Sequence, residues 1–296
     1  MSNPIQFVTP DDHRTLVYEG ETAADGRWTD GVLRTEKDDV SFPVEDGIPR
    51  FCPDGASLWD NKEKRNEDLR RAGVDDPDML IERNWGNRVR SDSFGRNKDL
   101  FCRALETGGP ILEVAVGPGG GMAPMLLELD PQASIMMNDF GLWPLREWQR
   151  LARRTGCWPN VRFAQFDATR MPIASGSVSA VLSWGGVSNI YQRDQALREV
   201  LRILRPGGTL FGVDPQSRIQ VTAHSLPGAL DAFRAAFPSE GMEYPELLAE
   251  IGFDPVNVSD ESERPIIPGE GGLADFAEKY KVDVKLQFYR IEAVKP

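Results

Sequence analysis

Cysteine and histidine are scarce in this chain. Three cysteines in 296 residues (Cys52, Cys102, Cys157) stand far apart. That spacing excludes a cysteine zinc pattern and offers no disulfide framework. Only two histidines, His13 and His224, are present. No apolar run is long enough to cross a membrane. The N-terminus lacks a basic stretch followed by an apolar one, so no secretory signal is expected and a cytoplasmic location is the default. Basic residues are outnumbered: 34 Lys and Arg face 46 Asp and Glu, a net charge of −12. A field of that sign repels phosphate backbones, and nucleic acid is not expected as a partner. The densest basic clusters, 62–71 and 83–96, carry acids between the bases and read as solvated helix surfaces.

What the chain does have is concentrated in one stretch. Ile111-Leu112-Glu113-Val114-Ala115-Val116 is an apolar run around one carboxylate, and Gly117-Pro118-Gly119-Gly120-Gly121 breaks it. A helix is expected from Met122 to Leu129. Glycine lets a backbone approach a ligand with no Cβ in the way, and N–H groups at a helix start attract electron-rich atoms. A second apolar run ends on Asp139, with Phe140 beside it, and a third (160–168) ends on Asp167-Ala168. A carboxylate at the tip of the second strand of an α/β sheet is placed to accept ribose hydroxyls. A fourth strand is expected over 177–183. A helix starts at Asp194 and stops at Arg205-Pro206-Gly207-Gly208, since proline cannot continue it and glycine turns the chain. The fifth strand is Thr209 to Asp214.

These blocks resemble the class I S-adenosylmethionine (SAM)-dependent methyltransferases, most closely their small-molecule, quinone-biosynthesis branch. The resemblance rests on Leu-Glu-Val-x-x-Gly-x-Gly at 112–119, Asp139, Val-Arg-Phe-x-x-x-Asp-Ala at 161–168, Met-Pro at 171–172, and the block from Ala196 to Leu210 ending in Arg-Pro-Gly-Gly-Thr-Leu. It covers about a third of the chain. It implies a Rossmann-like, seven-stranded α/β sheet with helices on both faces and the last strand antiparallel. It also implies SAM as cofactor, held by Glu113, Gly117 and Gly119 at the methionine end, by Asp139 with Phe140 at the ribose and base, and by Asp167 with Ala168 at the adenine. Ser183-Trp184-Gly185 would face the reactive side. Ala115 stands where the family usually has its first glycine, and is counted with the cofactor residues. Ser179 stands where an aspartate is usual. Taken singly, Asp139 and Asp167 read equally well as turn or capping acids. Glu113 is harder to explain that way, because a buried carboxylate needs partners.

Three regions follow from this reading: 1–55, 56–109 and 110–296. In the first, Phe42 to Phe51 resembles the end of a small zinc-ribbon domain. Aligned by that segment, the four metal-ligand positions fall on Thr9, Asp12, Thr35 and Asp38, and none is cysteine. No metal is expected. The segment reads as a metal-free relic serving packing, substrate enclosure or dimerisation into a homodimer. In the second region, helices are expected over 61–72 and 98–106. Trp85, within Asn84 to Arg88, is either a lid residue over the cofactor or a core anchor.

Beyond the fifth strand, a helix over 244–251, a sixth strand near 256–258, a loop over 261–272 and an alternating strand around 282–288 complete the sheet. Methyl transfer needs alignment more than acid–base chemistry, with a base only where the acceptor loses a proton. His224, Tyr191 and Asp214 are the candidates. The expected function is methyl transfer to a small-molecule acceptor. Alternatives are cyclisation or elimination acting on SAM itself, a non-catalytic SAM-binding scaffold, and, against the charge, an RNA methyltransferase.

Overall fold

The fold is that of a computed structural model, which describes residues 5–24, 26–71, 80–81, 86, 92–119, 121–155, 160–236, 243–266 and 272–296. Asn84, Trp85, Asn87, Arg88, Gly120 and Cys157 lie outside these.

The N-terminal region forms a four-stranded antiparallel sheet in chain order: β1 (Leu16–Thr22), β2 (Trp28–Thr35), β3 (Ser41–Glu45) and β4 (Ile48–Pro49). Asp46 and Gly47 close the last hairpin, both at positive φ (51° and 79°). An Asp-Gly pair suits the mirror-image turn whose twist matches the flanking strands. Helices α1 (Lys62–Arg71), α2 (Asp92–Arg96) and α3 (Lys98–Glu106) lead into the main body.

There, β5 (Ile111–Glu113), α4 (Ala123–Leu129), β6 (Ile135–Asp139), α5 (Leu142–Thr155), β7 (Val161–Gln165), β8 (Val178–Trp184) and α6 (Arg193–Ile203) alternate. They are followed by β9 (Leu204–Gln220), α7 (Ala229–Ala236), α8 (Tyr244–Ile251), β10 (Val256–Pro265), α9 (Gly272–Tyr280) and β11 (Asp283–Val294). The seven strands order as β10-β11-β9-β8-β5-β6-β7. Strands β5 to β9 pair in parallel, and β11 is antiparallel to both neighbours. This is the expected seven-stranded methyltransferase-type sheet with its last strand reversed. The chain winds from β5 toward β7, then returns to β8 and β9 on the other side, so a crevice opens at the carboxyl ends of β5 and β8.

Three boundaries differ from expectation. Strand β9 begins at Leu204, ahead of the expected turn at 205–208, and runs on to Gln220, and β10 runs to Pro265 where a loop was expected. Both extensions come from β11, whose residues 283–288 pair with 215–220 on one side and whose Lys285 reaches Pro265 on the other. Polar residues and a terminal proline are tolerated on β10 because it is an edge strand.

The two sheets share a core. Phe7, Leu16, Leu33 and Val44 are buried in one cluster with Met136, Phe166, Met171 and Ile173, each such side chain contributing about 1.5–3 kcal/mol. Backbone bonds join them as well, from Val8 N–H to Pro172 O and from Ala174 N–H to Gln6 O, both at 3.0 Å.

Candidate functional site

A cavity of about 780 Å³ opens at the carboxyl ends of β5 to β8. Ala115, Gly117 and Gly119 line it from the turn after β5, and Asp139 with Phe140 from the tip of β6. Asp167 and Ala168 line it after β7, and Trp184, Gly185 and Tyr191 after β8. These residues, scattered over 77 positions of sequence, meet because parallel strands end at one level. The opposite wall comes from outside the main sheet: Ser57 and Trp59, with Leu69 of α1 and Leu80.

The glycine turn is held from two sides. Gly117 N–H donates to Asp139 Oδ2 at 2.8 Å. Gly117 O accepts from the indole N–H of Trp148 at 2.9 Å. Trp148 is wholly buried on α5. Asp139 Oδ1 accepts from Gly141 N–H at 2.7 Å. Burial pushes the Asp139 carboxyl up to about 6, against the pull of those two donors. Each of its oxygens keeps a lone pair for a further donor. Asp167 forms a tighter local turn, its Oδ1 accepting from Thr169 N–H at 2.8 Å and the Thr169 hydroxyl at 2.7 Å.

Three of the sequence-derived site residues lie elsewhere. Glu113 does not reach the cavity. It is fully buried, and its carboxylate accepts from the N–H groups of Met122 and, at 2.7 Å, Ala123. The donors at the start of α4, expected to face a ligand, are therefore capped from within by a carboxylate suited to a helix N-terminus. Gly121 exists to admit it, since a Cβ there would stand 1.6 Å from Glu113 Oε1. Ser183 is also beneath the surface. Its hydroxyl donates to Asp214 Oδ2 at 3.0 Å and accepts from Val187 N–H at 3.0 Å. His224 is exposed and does not line the cavity. The extension of β9 to Gln220 carries its loop beyond the strand tips, where Ser225 and Leu226 bond to the end of α9 and the residue after it.

Of the remaining base candidates, Tyr191 lines the cavity and is 88% exposed. Asp214 is buried below the 185–189 turn, accepting from Ser188 N–H at 3.2 Å as well as from Ser183. Burial pushes it up to about 6. The departures at 115 and 179 have distinct meanings. Ala115 sits at φ +52° in a left-handed conformation suited to glycine. Ser179 packs against Gly109 in the lower half of β8, away from the cavity. Trp148 was not legible as a site residue, because an inward aromatic on an amphipathic helix reads as core. Among the described residues no group of three or more His, Cys, Asp or Glu is placed to hold a metal. No helix of the described residues is long and apolar enough to cross a membrane.

Residues 111–208 match the family model described as a methyltransferase domain. The ubiquinone/menaquinone biosynthesis C-methyltransferase UbiE of Pasteurella multocida is 28% identical over 127 residues, covering 40% of this chain and 47% of the relative. The UbiE of Hahella chejuensis is 29% identical over 133 residues, 45% of this chain and 49% of the relative. The chain thus spans about half the length of the curated relatives it matches. A putative sarcosine dimethylglycine methyltransferase from Galdieria sulphuraria superposes with a TM-score of 0.48 at 15% identity, covering 73% of this chain and 98% of that one. Residues 111–208, about a third of the chain, are thus similar to methyltransferase domains, and they lie within the seven-stranded sheet described above.

Proposed function

We propose that this protein binds SAM in the cavity at the carboxyl ends of β5 to β8 and transfers its methyl group to a small, apolar acceptor. The observation that carries the reading is the double hold on Gly117, by Asp139 below and Trp148 behind. It fixes a glycine turn and a ribose-type carboxylate at neighbouring strand tips. A volume of about 780 Å³ lies within the range of small-molecule sites.

The residues present suit SAM. Asp139 would take the ribose hydroxyls, Phe140 the base face, Ala168 with Asp167 the adenine edge, and the backbone of Gly117 to Gly119 the amino-acid end. SAM supplies a methyl group already activated on a sulfonium. The chain's own contribution is then position and dryness. Trp59, Leu69, Leu80 and Ile190 give the cavity an apolar wall. That wall excludes water and suits an acceptor of low polarity, in keeping with relatives named for quinone biosynthesis. Tyr191, at the exposed rim of the cavity, offers a hydroxyl that can hydrogen-bond an acceptor.

Calorimetric titration of SAM into the protein, with Asp139→Ala as control, tests the reading. Micromolar binding that the substitution weakens supports it. A folded protein that does not bind SAM overturns it.

A further inference from the structure

We propose that residues 50–60, the chain leaving the N-terminal sheet, form a strap that sets the adenosine end of the cofactor cavity, with Arg50 and Gln165 as its positioning residues. This rests on the SAM-binding reading above and assigns the N-terminal sheet a part in it.

The strap begins as an added partner to β7. Arg50 bridges Gln165 in parallel, and Phe51 N–H donates to Gln165 O at 2.9 Å. The Gln165 side chain is wholly buried and faces two ways. Its Nε2 donates to Phe140 O at 3.1 Å, and its Oε1 accepts from Arg50 Nε at 3.3 Å. Arg50 itself is 10% exposed, its guanidinium paired with Glu45 and Asp54. A continuous polar relay therefore runs from the N-terminal sheet to the peptide of Phe140, which borders the cavity.

Further along, the same strap meets the turn after β6 again. Ser57 packs so closely on Gly141 that a Cβ there would stand 2.9 Å from Ser57 Oγ. Asp60 Oδ1 accepts from Trp143 N–H at 2.9 Å, in the first turn of α5. Ser57 and Trp59 then enter the cavity wall. The sheet grips α5 from the other side too, through Glu45 to Arg146 at 3.0 Å and Asp46 to Arg153 at 2.6 Å. The contacts of the strap with the main body described here fall on the turn after β6, the first turn of α5 and the end of β7, the ribose and base side. The glycine turn of the amino-acid end is held by Trp148 instead.

A hold confined to the adenosine end strengthens every adenosine ligand alike, whatever its sulfur substituent. The test is calorimetric titration of wild type, Gln165→Leu and Arg50→Met with two probes: SAM, and methylthioadenosine, which keeps the adenosine end and lacks the amino acid. Both variants are expected to weaken both probes in parallel, by fivefold or more. Trp148→Phe is expected to weaken SAM more than methylthioadenosine. Arg14→Leu, in the loop that precedes β1 and off the strap, is expected to keep wild-type affinity for both, which separates the hold from general destabilisation. Should Gln165→Leu fail to fold, Asp60→Ala removes the acceptor of the Trp143 N–H and is expected to show the same parallel loss, about threefold. Unchanged affinities in folded strap variants, or loss of SAM affinity alone, overturn the proposal. Failure of wild type to bind either probe overturns the SAM reading itself, and this inference with it.

Discussion

The indole N–H of Trp148 donates to the carbonyl of Gly117 at 2.9 Å, across the gap between α5 and the turn after β5. With Asp139, which accepts from the Gly117 N–H, it fixes the two successive peptides that flank Gly117. Trp148→Phe keeps most of the buried ring and removes the donor. An orphaned buried carbonyl costs about 1–3 kcal/mol. Part of that will appear as lost stability and part as a loosened turn. Calorimetry is expected to show SAM binding about three- to tenfold weaker, with a lower unfolding midpoint. An affinity equal to wild type would mean that the turn holds its shape without the indole.

Asp139 is expected to make cofactor affinity depend on pH. Burial is the main cause that raises its carboxyl to about 6, and the charge of Asp60 adds to it. Ribose hydroxyls donate to the ionised form, so a ligand lowers that value and binds with release of a proton. The sign follows: affinity is full above about pH 7, falls as the pH drops through 6, and tends toward a tenfold loss per unit below. Asp214 titrates in the same range but does not line the cavity. Dissociation constants for SAM measured from pH 5 to 7.5 should rise toward the acid end in wild type. They should be weak and flat in Asp139→Asn. A flat wild-type profile would remove Asp139 from the site.

Ala115 is strained at φ +52°. A left-handed conformation costs an L-residue about 1–2 kcal/mol, and glycine gives back about half of that in unfolded-chain entropy. Ala115→Gly is therefore expected to stabilise the fold by about 0.5–1 kcal/mol. In a chain of this size that is a rise of one to three degrees in the unfolding midpoint. Scanning calorimetry decides it, and a lower midpoint would show that the methyl group makes contacts worth more than the strain.

Glu113 and Gly121 form a matched pair. Glu113→Gln replaces one accepting oxygen with a donor that faces the N–H of Met122 or Ala123. Two donors facing each other in a buried site leave one unpaired, at a cost of about 1–3 kcal/mol. Gly121→Ala drives a Cβ into the carboxylate at 1.6 Å and is expected to be worse. Urea unfolding of the two variants should give that order, while SAM affinity per folded molecule changes less than in Asp139→Ala. The reverse pattern, with stability kept and affinity lost, would return Glu113 to the cofactor site.

Legibility from sequence followed locality. The glycine turn, the acids ending β6 and β7, and the helices 98–106 and 244–251 were readable because apolar spacing, glycine and proline act within a few residues. The lengths of β9 and β10 were not, since pairing with β11, distant in sequence, extends both. A carboxylate in the apolar run at 113 needs partners, yet only the fold shows that those include N–H groups at the start of α4. Gln165 and Arg50 carry no local signal at all. A glutamine at a strand end and an arginine after a hairpin look ordinary until the added strand brings them together. His224 lies off the cavity for the converse reason: rarity in composition says nothing about position.

The N-terminal sheet supports a prediction about metal. At the positions aligned with zinc ligands, Thr9 bonds Asp12, and Arg34 pairs with Asp38 at 2.9 Å. Arg14 then bridges the two loops, reaching Asp12 and Asp39 at 2.7 Å each. The Thr35 hydroxyl, with Arg14 second, holds the Asp39 carboxyl down to about 2. A guanidinium thus cross-links the loops by charge, leaving no thiolate and no cluster among the described residues to bind zinc. Chelator treatment is expected to leave the unfolding midpoint unchanged, and metal analysis to find zinc far below one per chain. Arg14→Leu is expected to lower the midpoint, and by more at low salt than at high, because the exposed pairs it breaks are screened. Stoichiometric zinc, or a midpoint that collapses on chelation, would show that oxygen ligands hold a metal here and that Arg14 is not the link.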